Sequence, residues 1–392
     1  MQSTTRHTYT ALDGMRGMAA LCVMIYHYNE KIGLFMLGRG PIFGAAGISV
    51  DLFFMLSGFV LSHSYAASLS RNLSVQNYLL KRLIRLFPLY FAGLATGLIV
   101  HLIIISVSGN IIDYNEIVKV LSLNILYFPY PTSEFSRSIG AVVDAEAIAS
   151  RGVLFPFNPP AWSLFFEMFA SFCFIYIYRS TTSTLMRICA FFFVLYFLCG
   201  VWAMYATDRI GFSGGLGWNA NNFIGGFPRV MFGFTLGVLL HKSVRLRTLA
   251  TLRLKDRLGP EALLLGVLLL MSVPVTFRGI YSVFFLLIGA PALVSLGAEV
   301  VTRNRFSERV CRGLGWLSYP LYCVHYPVGV LVFFYGDLLG VPREVVFSAA
   351  TLSSILLSLV LGHVFDVPAR TFLTKRVAIM VGFLSNDSRE SR

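Results

Sequence analysis

Two side chains in the first apolar stretch of the sequence, "DGMRGMAALCVMIYHY", are able to do chemistry. Arg16 and His27 are eleven residues apart, and eleven steps of about 100° bring an α-helix back to within about 20° of the same face. The two side chains then lie about 16 Å apart along the helix axis. A guanidinium binds anions such as phosphates, and an imidazole serves as a general base. A helix that presents both on one face predicts an interior, water-filled path that both residues line.

Three more ionisable residues lie within apolar stretches, and each is costly to expose to lipid. They are Asp51 in "SVDLFFMLSGF", Glu167 in "NPPAWSLFFEMF" and His325 in "LSYPLYCVHYPV". We expect Asp51 or Glu167 to orient His27, because a carboxylate beside an imidazole fixes its tautomer. His325 lies between two prolines that free backbone carbonyl groups, and it is either a second catalytic histidine or a structural hydrogen-bonding group. Each carboxylate has the alternative of a purely structural contact between helices.

The segment "KRLIRLFPLY" contains two arginines three residues apart, Arg82 and Arg85. On a helix they are one turn apart and share a face. Such a pair suits phosphate binding, because each guanidinium donates two parallel hydrogen bonds to phosphate oxygens. The alternative is an anchor at the cytoplasmic membrane boundary. Arg16 has a similar alternative, in which its side chain extends to the lipid headgroups.

The composition is that of an integral membrane protein. Of 392 residues, 56% are hydrophobic and 13% are charged, and the mean hydropathy is +0.71. The net charge of +13 does not indicate nucleic-acid binding, because the basic residues lie in short segments between apolar stretches. The six cysteines are scattered without a CxxC pair, so we predict neither disulfides nor a metal site.

The hydropathy pattern predicts an all-α polytopic fold with about ten transmembrane helices. Loops on one predicted side hold about two thirds of the 32 lysines and arginines, which places both termini in the cytoplasm. The first span lacks a basic lead and a cleavage site, so we expect it to be retained. The predicted spans are approximately 15–36, 47–67, 86–106, 161–178, 187–206, 227–241, 261–277, 279–298, 314–335 and 345–365.

The chain reads as one integral membrane domain over residues 1–392. Its one long loop, 107–160, contains five prolines and is predicted to face away from the cytoplasm as a lid or an acceptor-binding surface. The segment around Arg278 is either a loop between two spans or the tip of a re-entrant hairpin. The tail at about 380–392 has the composition of a disordered segment.

Five motifs in this order resemble the acyltransferase-3 family of integral membrane acyltransferases. The opening helix resembles the family's basic residue followed by a histidine, and "RLIR" resembles its paired arginines. "VDLFFMLSGF", "AWSLFFE" and "LSYPLYCVH" are similar to later family elements. In "FDVPAR" the family more often has glutamate where this chain has Asp366. The residues that match family positions are Arg16, His27, Asp51, Ser57, Arg82, Arg85, Trp162, Ser163, Glu167 and His325.

The resemblance implies transfer of an acyl group, acetyl by default, from cytoplasmic acyl-CoA to a hydroxyl of an extracytoplasmic carbohydrate or glycolipid, such as a lipopolysaccharide or exopolysaccharide sugar. It implies His27 as general base, with Arg16, Arg82 and Arg85 binding the CoA phosphates. Acyl-CoA would be a co-substrate, and no tightly bound cofactor is expected. The implied location is a bacterial inner membrane. Some relatives carry a fused esterase-like domain, so a separate extracytoplasmic transferase or esterase is an expected partner.

A transporter or flippase is the alternative function. In that case the same buried polar residues line a substrate path and no covalent step occurs.

Overall fold

The structure is a computed structural model that describes residues 9–32, 42–109, 114–130, 152–206, 215–251, 258–274, 278–302 and 304–377. Within these ranges the fold is helical, and the only β pairing is an isolated bridge between Val153 and Asn219. The predicted all-α polytopic class is therefore confirmed. The predicted disordered tail at about 380–392 and residues 110–113 and 131–151 of the predicted loop lie outside the described residues.

The α-helices are numbered in chain order. They are α1 Thr10–Tyr26, α2 Ser49–Arg71, α3 Val75–Ser108, α4 Tyr114–Ile125, α5 Trp162–Ile177, α6 Thr182–Ala206, α7 Gly226–Lys242, α8 Val244–Thr251, α9 Pro260–Met271, α10 Arg278–Phe284, α11 Ala290–Glu299, α12 Arg305–Leu338 and α13 Arg343–Val360. Three of them continue as π-helical segments, which are His27–Ile32 after α1, Phe285–Gly289 between α10 and α11, and Leu361–Asp366 after α13.

Eight helical segments of the described chain are long and apolar enough to cross a membrane. They coincide with eight of the ten predicted spans, and the other two correspond to Thr10–Ile32 and α9. With twelve residues, α9 is about 18 Å long, shorter than the apolar layer of about 30 Å. The third span differs from its prediction at its start, since α3 begins at Val75 instead of residue 86 and so contains both paired arginines.

Glycines bring the central helices into close contact. A Cβ atom added at Gly17 of α1 would lie 2.3 Å from the backbone of Leu314 in α12, and one at Gly58 of α2 would lie 2.0 Å from the carbonyl oxygen of Phe234 in α7. Small residues allow such backbone approach between membrane helices. Contacts along both pairs advance in the same chain direction, so α1 runs parallel to α12, and α2 to α7. In a ten-span topology successive spans alternate in direction, so the first and ninth spans run the same way, and so do the second and sixth. The two parallel helix pairs agree with this topology.

The predicted loop between the third and fourth spans contains a helix, α4, that the sequence analysis did not anticipate. Tyr90 of α3 donates a hydrogen bond to the carbonyl oxygen of Asn124 in α4. The segment that follows, from residue 152 to Trp162, returns to the bundle and places buried Phe155 and Phe157 against it. These contacts attach the described parts of the loop to α3 and α12.

Candidate active site

Two histidines from α1 and α12 form the centre of the site. Nδ1 of His325 lies 2.9 Å from the carbonyl oxygen of Leu321, which only accepts hydrogen bonds, so this nitrogen donates. In the neutral ring, Nε2 of His325 then accepts from Nδ1 of His27, 2.9 Å away. The two rings are nearly parallel, with centroids 5.2 Å apart. This relay assigns the lone pair of His27 to its Nε2 atom, the state that a general base requires.

The neighbours of the histidine pair hold it in place. His27 opens the π-helical segment, a feature that is frequent at functional sites. Tyr28 donates its hydroxyl to the carbonyl oxygen of His325 at 2.6 Å and also contacts the hydroxyl of Ser354 at 2.5 Å. His325 is fully buried, whereas His27 is half-buried. The site therefore combines a rigid inner histidine with a more accessible outer one.

The prolines around His325 do not break α12, which continues through both of them. Pro327 lacks the N–H group that would bond the carbonyl oxygen of Cys323. Nδ2 of Asn158 donates to that oxygen instead, at 2.7 Å. The freed carbonyl group is thus satisfied by a side chain of the returning loop, and the helix keeps its course.

The structure corrects the predicted pairing of Asp51 with His27. Both carboxylate oxygens of Asp51 accept from Arg229 of α7, at 2.7 and 2.8 Å, and each side chain is only 3% exposed. The remaining guanidinium nitrogen donates to the carbonyl oxygen of Leu216 at 2.8 Å. The ring of Trp162 lies 5.7 Å from the guanidinium carbon. Asp51 is therefore neutralised by a bidentate ion pair, and the group that orients His27 is His325.

Glu167 also has an arginine partner. Its Oε1 atom accepts from Arg82 at 3.0 Å, and the hydroxyl of Ser57 lies 3.5 Å from the same oxygen. Nε of Arg82 donates to the hydroxyl of Ser171 at 3.2 Å. Arg82 is 4% exposed. Its charge is thus largely used by Glu167, although Arg82 and Arg85 line the same cavity.

A cavity of about 800 Å³, including its open mouth, lies among α1, α2, α3, α5 and α12. We call it the arginine cavity, after its charged lining residues Arg16, Arg82, Arg85 and Glu167. Arg16 donates to the hydroxyl of Ser318 and to the carbonyl oxygen of Gly315, both at 2.9 Å. Arg16 therefore points into the protein, as predicted, and not towards lipid headgroups.

Arg85 differs from the other arginines of the cavity. Its side chain is exposed, and within the described part of the chain no hydrogen bond or ion pair engages its guanidinium. The charges of Arg16, Arg82 and Arg370 repel it, and Glu167 is the one carboxylate that attracts it. An exposed guanidinium with an excess of positive charge around it is suited to binding an anion.

The arginine cavity ends at Tyr322, whose hydroxyl lies 2.6 Å from that of Ser163. The ring of Tyr322 is 5.8 Å from that of His325, so the histidine pair lies directly behind this end. His27 itself is not part of the lining. The predicted path shared by Arg16 and His27 is therefore closed at Tyr322 in this conformation, because the two hydroxyl groups hold α5 and α12 together.

Several residues of the site escaped the sequence analysis. Arg229 carried a usable signal, since it is an arginine inside an apolar span. Tyr322 lies within the "LSYPLYCVH" element and Asn158 in no motif, and the roles of both depend on contacts across more than 150 residues. Asp366, whose role the sequence left open, is buried and forms an ion pair with Arg370. Among the described residues, no three His, Cys, Asp or Glu side chains are grouped to hold a metal ion.

The chain is similar to proteins of two bacteria. It is 32% identical over 178 residues to "Protein 2 in picA locus" of Rhizobium radiobacter, which covers 43% of this chain and 81% of that protein. It is 28% identical over 126 residues to "Peptidoglycan O-acetyltransferase OatA" of Listeria monocytogenes serovar 1/2a, which covers 31% of this chain and 17% of that protein. No solved structure matches it. The family model described as "Acyltransferase domain" matches residues 9–363, and the chain therefore belongs to the acyltransferase-3 family.

Proposed function

We propose that this membrane acyltransferase moves an acyl group, acetyl by default, from cytoplasmic acyl-CoA to a hydroxyl of an extracytoplasmic carbohydrate. The observation that carries the proposal is the arginine cavity. Exposed Arg85 lines this cavity, and Tyr322 at its far end contacts His325 of the histidine pair. The name of the Listeria relative, a peptidoglycan O-acetyltransferase, supports acetyl and a glycan as the substrates. Family membership favours this reaction over the transporter alternative.

Arg85 and Arg16 bind the phosphates of the donor in this proposal. The predicted orientation places the start of α1 and α3, and with them the mouth of the cavity, on the cytoplasmic side, where acyl-CoA is made. The charged phosphates remain there, because they do not cross lipid. The thioester extends along the cavity to its end. Arg82 forms an ion pair with Glu167 and adds positive charge to the wall of the cavity.

His27 is the general base. Its Nε2 atom takes the proton of the acceptor hydroxyl, and the oxygen then attacks the thioester carbonyl carbon. The carbon–sulfur bond breaks, and the thiolate of CoA recovers the proton from the imidazolium. His325 positions His27 by accepting the hydrogen bond from Nδ1. Tyr322 must move from its contact with Ser163 for the thioester to reach the base.

The test of the donor is a binding measurement. With purified protein in detergent, we expect Arg85→Ala to weaken the binding of acetyl-CoA about tenfold to hundredfold, the cost of one charge-assisted hydrogen-bonded contact. Arg245→Ala is the matched control, because Arg245 is an exposed arginine of α8 on the same predicted side of the membrane. An unchanged dissociation constant in Arg85→Ala would remove Arg85 from the donor site.

The test of the reaction is transfer of label. Radiolabelled acetyl-CoA is incubated with the protein and with surface glycan from cells that lack the gene. We expect label on the glycan that saponification releases as acetate. Binding of acetyl-CoA without any transfer to glycan, lipid or protein would contradict the proposed reaction.

A further inference from the structure

A second cavity lies beyond the histidine pair. It lies between α3, α12 and the returning loop, and its empty volume of about 480 Å³ includes the space at its open mouth. We call it the apolar pocket. Its lining includes Val100, Ile104, Phe157, Tyr326, Pro327 and Val330.

The position of the apolar pocket relates it to the reaction centre. Tyr322 lines the arginine cavity and Tyr326 lines the apolar pocket, and the two are one helical turn, or about 6 Å, apart on α12. His325 lies between them in the sequence. The ring of Tyr326 contacts that of His27 edge to face, with centroids 5.5 Å apart. The arginine cavity, the histidine pair and the apolar pocket therefore follow one another along the same helix.

The lining of the apolar pocket is unsuited to a sugar ring. Among its lining residues in the described chain, only His101 and Tyr326 carry a polar group on the side chain, and none is a carboxylate, an amide or an arginine. A sugar would leave its hydroxyl groups there without hydrogen-bond partners, which is unfavourable for each buried hydroxyl. Hydrocarbon, by contrast, gains about 0.8 kcal/mol for each buried methylene. The chemistry of the wall selects an apolar occupant.

The shape of the donor indicates which apolar group this is. In a thioester the carbonyl carbon bears the sulfur of the pantetheine arm on one bond and the acyl chain on another, so the chain continues away from the arm. When the arm fills the arginine cavity and the carbonyl group lies at His27, the acyl chain points onward, past Tyr326. We propose that the apolar pocket binds the acyl chain of the donor and sets the acyl length, so that the enzyme accepts chains longer than acetyl. This inference rests on the proposed function.

The test uses unreactive donors, so that neither the acceptor nor catalysis is needed. The probes are the thioethers S-ethyl-CoA, S-butyl-CoA and S-hexyl-CoA, titrated into purified full-length protein by calorimetry. We expect the affinity to rise about fourfold for each added methylene until the pocket is full. Val100→Phe narrows the pocket, because Val100 is 5% exposed and lines it. In this variant the gain with length disappears and S-ethyl-CoA binds as in the wild type.

Two further variants keep the test decisive. Val330→Phe narrows the same pocket from α12 and replaces Val100→Phe if that variant does not fold. Ile99→Phe is the matched control on α3, since Ile99 is 57% exposed on the outer surface of the bundle, and it should keep the full gain with length.

The outcomes separate the pocket from the donor site. Equal binding of all three thioethers to the wild type would overturn the acyl pocket and leave CoA as the donor. Failure of every thioether, and of CoA itself, to bind would overturn both the pocket and the proposed donor.

Discussion

Two polar pairs inside the bundle join parallel membrane helices in this protein, and they differ in which of their atoms are occupied by hydrogen bonds. Asp51 and Arg229 join α2 to α7 with two hydrogen bonds that occupy both carboxylate oxygens. His27, at the end of α1, and His325 of α12 are joined by a hydrogen bond between Nδ1 and Nε2. The first pair uses up the groups that could act on a substrate. The second leaves His27 with a ring nitrogen in the form that accepts a proton.

The comparison shows how to distinguish polar residues with a structural role from polar residues that are able to react in membrane spans. An ionisable residue in an apolar stretch indicates an interior position, and both pairs satisfy this expectation. Whether the residue can react depends on which of its donor and acceptor atoms its partner occupies. A bidentate arginine neutralises a carboxylate completely, whereas a neutral imidazole that accepts one hydrogen bond fixes the tautomer of its neighbour and strengthens it as a base.

The largest effect is expected from the reactive pair. His27→Ala removes the proposed general base, and we expect the rate of acyl transfer to fall by about 10²- to 10⁴-fold. The fold should persist, because His27 is half-buried and α1 and α12 are also joined by the hydrogen bonds of Arg16. His363→Ala is the control, since His363 is an exposed histidine stacked on Trp316. Near wild-type turnover in His27→Ala would reject the assignment.

The structural pair should respond to mutation with a loss of stability. Asp51→Leu leaves the guanidinium of Arg229 buried and uncompensated, a cost of about 3–5 kcal/mol in the free energy of unfolding. Adding Arg229→Met removes the buried charge, so the double variant should recover most of that stability. Thermal unfolding of the single and double variants in detergent measures both effects. A double variant as unstable as Asp51→Leu would show that the pair does more than neutralise itself.

A smaller effect on the rate is expected at His325. His325→Phe removes the acceptor for Nδ1 of His27, and we expect a loss of about tenfold to hundredfold in kcat, the value of one buried hydrogen bond. His325→Gln offers a carbonyl oxygen to the same atom and should restore part of the rate. The pH dependence of kcat distinguishes positioning from packing, because only a change in the partner of His27 moves its acidic limb. Equal rates and equal profiles for both variants would contradict the relay.

The sequence predicted the parts of the molecule that depend on local pattern. Hydropathy located the spans because lipid requires continuous apolar helices. Helical periodicity placed Arg16 and His27 on one face of α1, and both contact α12 in the structure. The pattern could not name the partner, since His325 is 298 residues away from His27.

The paired arginines show the limit of the same reasoning. Arg82 and Arg85 are one turn apart, but three residues at about 100° each leave them about 60° apart around α3. That difference places Arg82 against Glu167 and leaves Arg85 exposed in the cavity. Likewise, the depth of Asp51 and Glu167 predicted that one of them orients His27, but both are paired with arginines. The depth of a residue in the membrane follows from the sequence, whereas its direction around the bundle depends on how the helices pack.

The most direct test of the account places the two pairs side by side in one assay. Wild type, His27→Ala and the double variant Asp51→Leu with Arg229→Met are purified in detergent, and transfer of radiolabelled acetyl from acetyl-CoA to surface glycan is measured for each folded protein. The account predicts that His27→Ala is folded and inactive and that the double variant keeps activity within about tenfold of wild type. Activity in His27→Ala, or its complete loss in a folded double variant, would contradict it.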